Sequence, residues 1–292
     1  MILTCQSTST FSSFPFPTTS LDSEDRTQGG IFTTPGEAYT TPVEMWIHAF
    51  GAFFYVLIPS FHAEKNGWLQ SDVLLERLSR NFDLTKVKCI GGSAQSACVY
   101  WKASTSPPFA RLSPHHSLHA QLFSGNNSPL ALPNAPVAQD TSMLPQAQAL
   151  ETALGGPDAT AARLGMPAHA SLPVAHAMMI RETQPEVWQR IGRFTPASTM
   201  LCSLLMGAWA PMAESEACST GMWAQSLRAW DDLVVEIVAG TSTPEEVTRV
   251  KRIFGDVDTS GGGRRVGNIS PYFVERYGFN AGQFLHSSMT FH

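Results

Sequence analysis

Three features of the sequence predict an α/β protein. A strand, a Gly-Gly turn and a second strand can be read over residues 86–102, with Val87 and Cys89 before the turn and Val99-Tyr100-Trp101 after it. Helices with recognisable ends recur along the chain, the clearest carrying Met200, Leu201, Leu204 and Leu205 at helical spacing and stopping at Gly207. The chain has 292 residues, of which 43% are hydrophobic, enough to bury a large core in one large or two modest domains.

Taken in order, residues 1–25 are rich in Ser, Thr and Pro and lack a basic segment followed by an apolar one, so they read as a loose tail rather than a signal peptide. A helix start follows at Thr41 as N-cap, Pro42 at the first helical position and Glu44 three residues after the cap. Met45, Ala49, Phe53 and Leu57 would line one face of that helix. Residues 50–71 turn apolar, then polar after Pro59, with a run too short to span a bilayer, which takes about 20 residues. They read either as an insertion or as a buried extension of the helix.

Farther on, His115, His116 and His119 have spacings that a metal could use, yet no further ligand stands near, and a solvated helix accounts for them. Asp140 precedes an expected helix from Met143 through Leu154 and suits its N-cap. Beyond Gly207 an exposed acidic turn is expected around Glu214 and Glu216. Trp230, Leu233, Val234, Ile237 and Val238 form another helical stripe. Residues 255–265 are Gly, Asp and Ser rich; Asp256 and Asp258 lack the terminal glutamate of a calcium loop, so a linker is expected.

Composition narrows the functional classes. The formal charge of −5 and the absence of a Lys/Arg run interleaved with aromatics give no field for nucleic acid. Five scattered cysteines without Cys-x-x-Cys pairs fit reduced thiols in a cytoplasmic protein and indicate no zinc. Neither a membrane nor a nucleic acid is expected as a partner, and oligomeric state is left open.

Several stretches, in order, resemble one family. They are Thr27-Gln28-Gly29-Gly30-Ile31 with Thr41-Pro42-Val43-Glu44-Met45-Trp46, IGGSAQSACVYW at 90–101, LSPHHSLHAQL at 112–122, and Pro136 to Ser142. ETALGG at 151–156, TQPEVW at 183–188, GAWAPMAESEACSTGM at 207–222 and VGNISPYFVERYGF at 266–279 continue the series. Together they are similar to the FGGY sugar kinases, and within that family to the xylulokinases. The resemblance covers roughly residues 26–284, the first, sugar-side lobe, with 1–25 as the tail, 50–71 as a possible insertion and 285–292 as a truncated end without the second lobe.

The resemblance implies an actin-like, ribonuclease H-like α/β lobe, ATP and magnesium as cofactors, and D-xylulose as the small-molecule partner. It implies sugar contacts for Gln95 and Asp140. At the loop acid that the resemblance makes the general base stands Ala213, with Glu214 beside it as a substitute and Glu216 at the second acid. Ser96 and Ala97 stand near the place of a sugar-facing histidine. Pro167 and Ser171 replace two arginines, and the amino-terminal phosphate-binding turn has no counterpart. Two readings follow: an ATP-dependent D-xylulose kinase using Glu214, or a non-catalytic sugar-binding or structural remnant.

Overall fold

The computed structural model describes residues 2–4, 32–34, 38–44, 47, 79–80, 83–93, 97–123, 128–136, 140–261 and 264–286. Five strands come first: β1 (Ile2–Thr4), β2 (Phe32–Thr34), β3 (Ala38–Pro42), β4 (Cys89–Ser93) and β5 (Cys98–Lys102). Next come α1 (Leu118–Phe123), β6 (Asn134–Pro136), α2 (Leu144–Ala153), α3 (Pro157–Leu164), α4 (Pro173–Thr183) and α5 (Pro185–Arg190). The segment that carries the site runs through β7 (Ile191–Pro196), α6 (Ala197–Met206), β8 (Met212–Ala213), α7 (Glu214–Ser219), β9 (Trp223–Ala224) and β10 (Ala229–Trp230). The described chain closes with α8 (Asp232–Ala239), α9 (Pro244–Phe254), β11 (Val257–Asp258), β12 (Arg265–Asn268), α10 (Pro271–Tyr277) and β13 (Phe284–His286).

A mixed sheet of order β1-β4-β13-β12 pairs β4 with β13 in parallel and the two outer neighbours antiparallel. The strand pair β5–β7 separates two cores because side chains alternate across a strand. Val99 and Trp101 join one cluster with the α6 residues Met200, Leu201, Leu204 and Leu205 and the α10 residues Tyr272, Phe273 and Tyr277. Cys98 and Tyr100 join the other, with Val174 and Ile180 of α4, Val234 and Val238 of α8, and Phe254 of α9. The Trp101 indole spans the pair, donating to Thr195 Oγ1 at 2.8 Å, so a buried N–H is satisfied inside the sheet.

The helix of residues 200–205 is present as α6, and Gly207 ends it in the left-handed conformation at φ 70°, as the spacing predicts. The stripe after Trp230 forms α8, whose N-cap Asp231 accepts from the Val234 amide; Leu233 alone faces outward, 40% exposed.

Other expectations need correction. Thr41 and Pro42 extend β3, paired with β6, and the helical residues begin at Val43, so the capping box does not form at Thr41. Ile2–Thr4, inside the expected tail, pairs antiparallel with β4. The two strands of residues 86–102 form but join different sheets, β4 with β13 and β5 with β7. Residues 255–265 are more than a linker, since β11 pairs in parallel with β8. Asp140 is not the N-cap of the following helix: that position is Met143, and Asp140 Oδ1 instead accepts from Ser142 N at 2.8 Å in the turn before it. Met45, Ala49, Phe53, Leu57 and the segment 50–71 lie outside the described residues.

Candidate functional site

β7 runs directly into α6, which places Ser198 and Thr199 in the first turn of a buried helix, where backbone N–H groups lack intrahelical partners and favour negative charge. α6 ends at Gly207; a Cβ there would come within 3.0 Å of the Ser270 Cβ, so this αL turn sits close against the start of α10. The chain then returns through β8 to α7.

Glu216, in the first turn of α7, points back at the start of α6 and is only 1% exposed. Its Oε1 accepts from the Ser198 hydroxyl, and its Oε2 accepts from Thr199 Oγ1 at 2.9 Å and from Ala213 N at 3.1 Å. The last of these is the half of a capping box that an alanine N-cap permits. Burial pushes the Glu216 carboxyl up to about 7, against the lowering effect of the bonds from Thr199 and Ala213. Burial also holds the nearby thiols protonated: Cys98 lies well above its usual range and Cys202 is pushed up to about 12, with the Glu216 charge adding to each. The acidic turn expected to be exposed is thus a short helix with one acid fully buried.

Glu214, two positions earlier, faces the other way and keeps 23% of its side chain exposed. Arg228 grips it through Nε at 3.2 Å and Nη2 at 2.9 Å, and the Trp223 indole donates to it at 3.4 Å. Those donors, Arg228 foremost, hold the Glu214 carboxyl below its ordinary value. Arg228 lies in the turn between β9 and β10 at φ 50°, a region a residue with a Cβ seldom adopts. Its Nη2 also donates to the Thr259 carbonyl, so one side chain joins the hairpin, α7 and the chain after β11.

A cleft of about 240 Å³ opens here, lined by Ala213, Glu214, Ser215, Cys218, Gln225, Asp258 and Gly261. Asp258 Oδ1 accepts from Ser260 N at 2.9 Å and from the Ser260 hydroxyl, and these bonds keep its carboxyl low. The cleft thus presents two ionised acids, one of them neutralised by Arg228, beside an amide, a hydroxyl and a thiol.

Of the residues singled out in the sequence, Glu214 lines this cleft. Asp140 is buried elsewhere, 3% exposed, and among the described residues no hydrogen bond or ion pair joins it to the cleft. Gln95 lies outside the described residues. Sequence reasoning missed Gln225 and Arg228, for which no local pattern exists, and placed Asp258 in a linker. It also missed Ser198 and Thr199, whose hydroxyls next to a helix start were the available signal.

The histidine cluster divides. His115 and His116 precede α1, and His119 on α1 meets the Glu44 carboxylate. Among the described residues no group of three or more His, Cys, Asp or Glu could hold a metal ion, and no helix is long and apolar enough to cross a membrane.

No family model matches the chain. It is 33% identical over 217 residues to the probable D-xylulose kinase A of Neosartorya fischeri, covering 73% of this chain and 36% of that protein. It is 31% identical over 216 residues to the D-xylulose kinase A of Aspergillus niger, again covering 73% of this chain and 36% of the relative. The chain therefore spans about a third of the length of the curated relatives it matches. Among solved structures, a gluconate kinase from Lactobacillus acidophilus superposes with a TM-score of 0.62 at 13% identity, over 89% of this chain and 41% of that one. The Plasmodium falciparum glycerol kinase with ADP gives 0.60 at 13%, over 89% and 42%. At such identities the structural likeness establishes a shared α/β fold.

Proposed function

Since the chain belongs to the FGGY family of carbohydrate kinases, with the actin-like α/β fold of its structural neighbours, we propose that it is a sugar-side lobe that binds D-xylulose. In this reading the lobe serves the ATP-dependent phosphorylation of D-xylulose to D-xylulose 5-phosphate, in the cytoplasm. The observation that carries it is the 217-residue match to D-xylulose kinases. The cleft beside Glu214, rich in hydrogen-bonding groups, supports it.

Phosphoryl transfer needs a positioned acceptor hydroxyl, a base near it, and charge neutralisation of the phosphates, usually by magnesium. Among the described residues there is no set of three acids or histidines for the metal, and of the two carboxylates at the cleft Glu214 is paired with Arg228. ATP and magnesium enter this reading as what the likeness to kinases implies.

What these residues can do is bind and orient. Glu214 can accept a hydrogen bond from a sugar hydroxyl, while its ion pair with Arg228 lowers its basicity and makes it a weak general base. Ala213, at the position the resemblance gives to the base, has no proton acceptor. That pair of facts favours a second reading, in which the chain binds sugar without transferring phosphate.

Isothermal titration with D-xylulose, beside a coupled assay of ADP release with ATP and magnesium, separates the readings. Binding with turnover that Glu214→Gln abolishes establishes the kinase; binding without turnover establishes the sugar-binding lobe. Absence of both would overturn the functional proposal.

A further inference from the structure

We propose that Arg228 is a positioning residue for the cleft: the β9–β10 hairpin holds its guanidinium against Glu214 and so fixes that carboxylate as the charged acceptor that meets the ligand. This rests on the sugar-lobe reading, and it places control of Glu214 in the hairpin rather than in α7.

The guanidinium meets Glu214 side-on, Nε on Oε1 at 3.2 Å and Nη2 on Oε2 at 2.9 Å, a paired arrangement that fixes both oxygens of a carboxylate. The Trp223 indole adds a donor to Oε1 at 3.4 Å, so three N–H groups from one hairpin converge on this acid. Nη2 also donates to the Thr259 carbonyl, which steadies the guanidinium from the chain after β11. The backbone supports the same conclusion. Residues 225–228 join β9 to β10, and Arg228 there takes φ 50°, where glycine is at ease and a residue with a Cβ is not. Among the described residues it alone, glycines apart, has a positive φ. Strain at the residue that grips Glu214 points to a role for its side chain. That role is not stability, since a pair whose side chains are 54% and 23% exposed contributes little to folding.

Arg228 also decides the charge on Glu214. Its hydrogen bonds are the foremost cause that holds the carboxyl low, with the Trp223 bond and the Arg228 charge adding to them. Burial and the negative charge of Asp258 on β11 act the other way. Asp258 is itself held low by its bonds from Ser260 and by the Arg264 charge, so it remains negative beside Glu214. Cys218, on α7, is pushed up by burial first and by the Glu214 charge second, and stays a neutral thiol. Without Arg228 the balance shifts toward burial and Asp258, and Glu214 takes up a proton at higher pH. A protonated Glu214 has lost the charged acceptor that a ligand hydroxyl would meet.

Two variants test the assignment. Arg228→Gly removes the guanidinium and suits φ 50°, so the turn is kept, while Arg228→Lys keeps the charge without the paired geometry. In a carbon-13 carboxyl titration the Glu214 resonance should move from below 4.5 in the wild type to 4.5 or above in Arg228→Gly, with the lysine variant between. The urea midpoint of Arg228→Gly should equal or exceed that of the wild type. Calorimetry should show D-xylulose binding Arg228→Gly about tenfold more weakly at neutral pH, with the acid loss of affinity starting at higher pH than in the wild type. In a Glu214→Gln background, removing Arg228 should change affinity by less than about twofold, because its effect passes through Glu214. A Glu214 resonance unmoved in Arg228→Gly would overturn the proposal. So would a lowered urea midpoint with D-xylulose affinity unchanged, the behaviour of a purely structural contact. If the wild type binds no D-xylulose the sugar-lobe reading falls, and a shifted Glu214 resonance would still uphold the control of that acid by Arg228.

Discussion

Glu214 and Glu216 sit on the same six-residue helix and have opposite surroundings. Glu216 is enclosed by the start of α6, takes hydrogen bonds from Ser198, Thr199 and Ala213, and has its carboxyl pushed up to about 7. Glu214 stands at the cleft, paired with Arg228 and held low. A helix turns about 100° per residue, so two steps place side chains on opposite faces, one toward the core and one toward the cleft. The inner acid builds the fold and the outer one is available for ligand. Residue type alone does not distinguish them.

The largest effect that would break this contrast comes from Glu216→Ala. It leaves the Ser198 and Thr199 hydroxyls and the Ala213 amide without their acceptor, and buried unsatisfied groups cost about 1–3 kcal/mol each. Urea unfolding should show a loss of roughly 3 kcal/mol or more.

Next is the pH dependence. The Glu216 pKa is raised on folding, so its contribution to stability is present below the ordinary carboxylate value of 4.5 and is lost as pH rises toward about 7. At 1.36 kcal/mol per pH unit the loss amounts to about 3 kcal/mol. His176 acts in the opposite sense. Burial lowers its pKa from 6.5 to about 3, so its contribution is present above 6.5 and lost on acidification. The difference between the wild-type and Glu216→Gln stability curves isolates the glutamate, and it should grow between pH 4.5 and 7.

Smaller still is Gly207→Ala. A Cβ at φ 70° next to Ser270 should cost about 1–2 kcal/mol, read as a lower midpoint in urea. Smallest is Glu214→Gln, whose partly exposed ion pair contributes little to stability; its unfolding midpoint should match wild type while ligand binding changes.

Local patterns made part of this legible. Apolar spacing and the glycine gave α6 and its αL end, and the stripe after Trp230 gave α8, because those signals lie within one element. Thr41 and Pro42 misled because a local capping signal yielded to strand pairing with β6, a partner more than 90 residues away. The same limit hid the parallel pairing of β11 with β8, which converts a Gly- and Asp-rich linker into a wall of the cleft. Glu214 was singled out by the family resemblance, and it lines the cleft. Arg228, Gln225 and Asp258 were not, since only tertiary folding brings the hairpin and β11 to α7. Asp140, an attractive candidate by resemblance, is absorbed by the turn before α2.

The claim that neighbouring acids divide structural and ligand-facing roles is tested most directly by a carbon-13 side-chain carboxyl titration of the labelled chain. One glutamate resonance should titrate near 7 and vanish in Glu216→Gln, while the resonance lost in Glu214→Gln should titrate below 4.5. A Glu216 carboxyl that titrates in the ordinary range together with Glu214 would contradict the account.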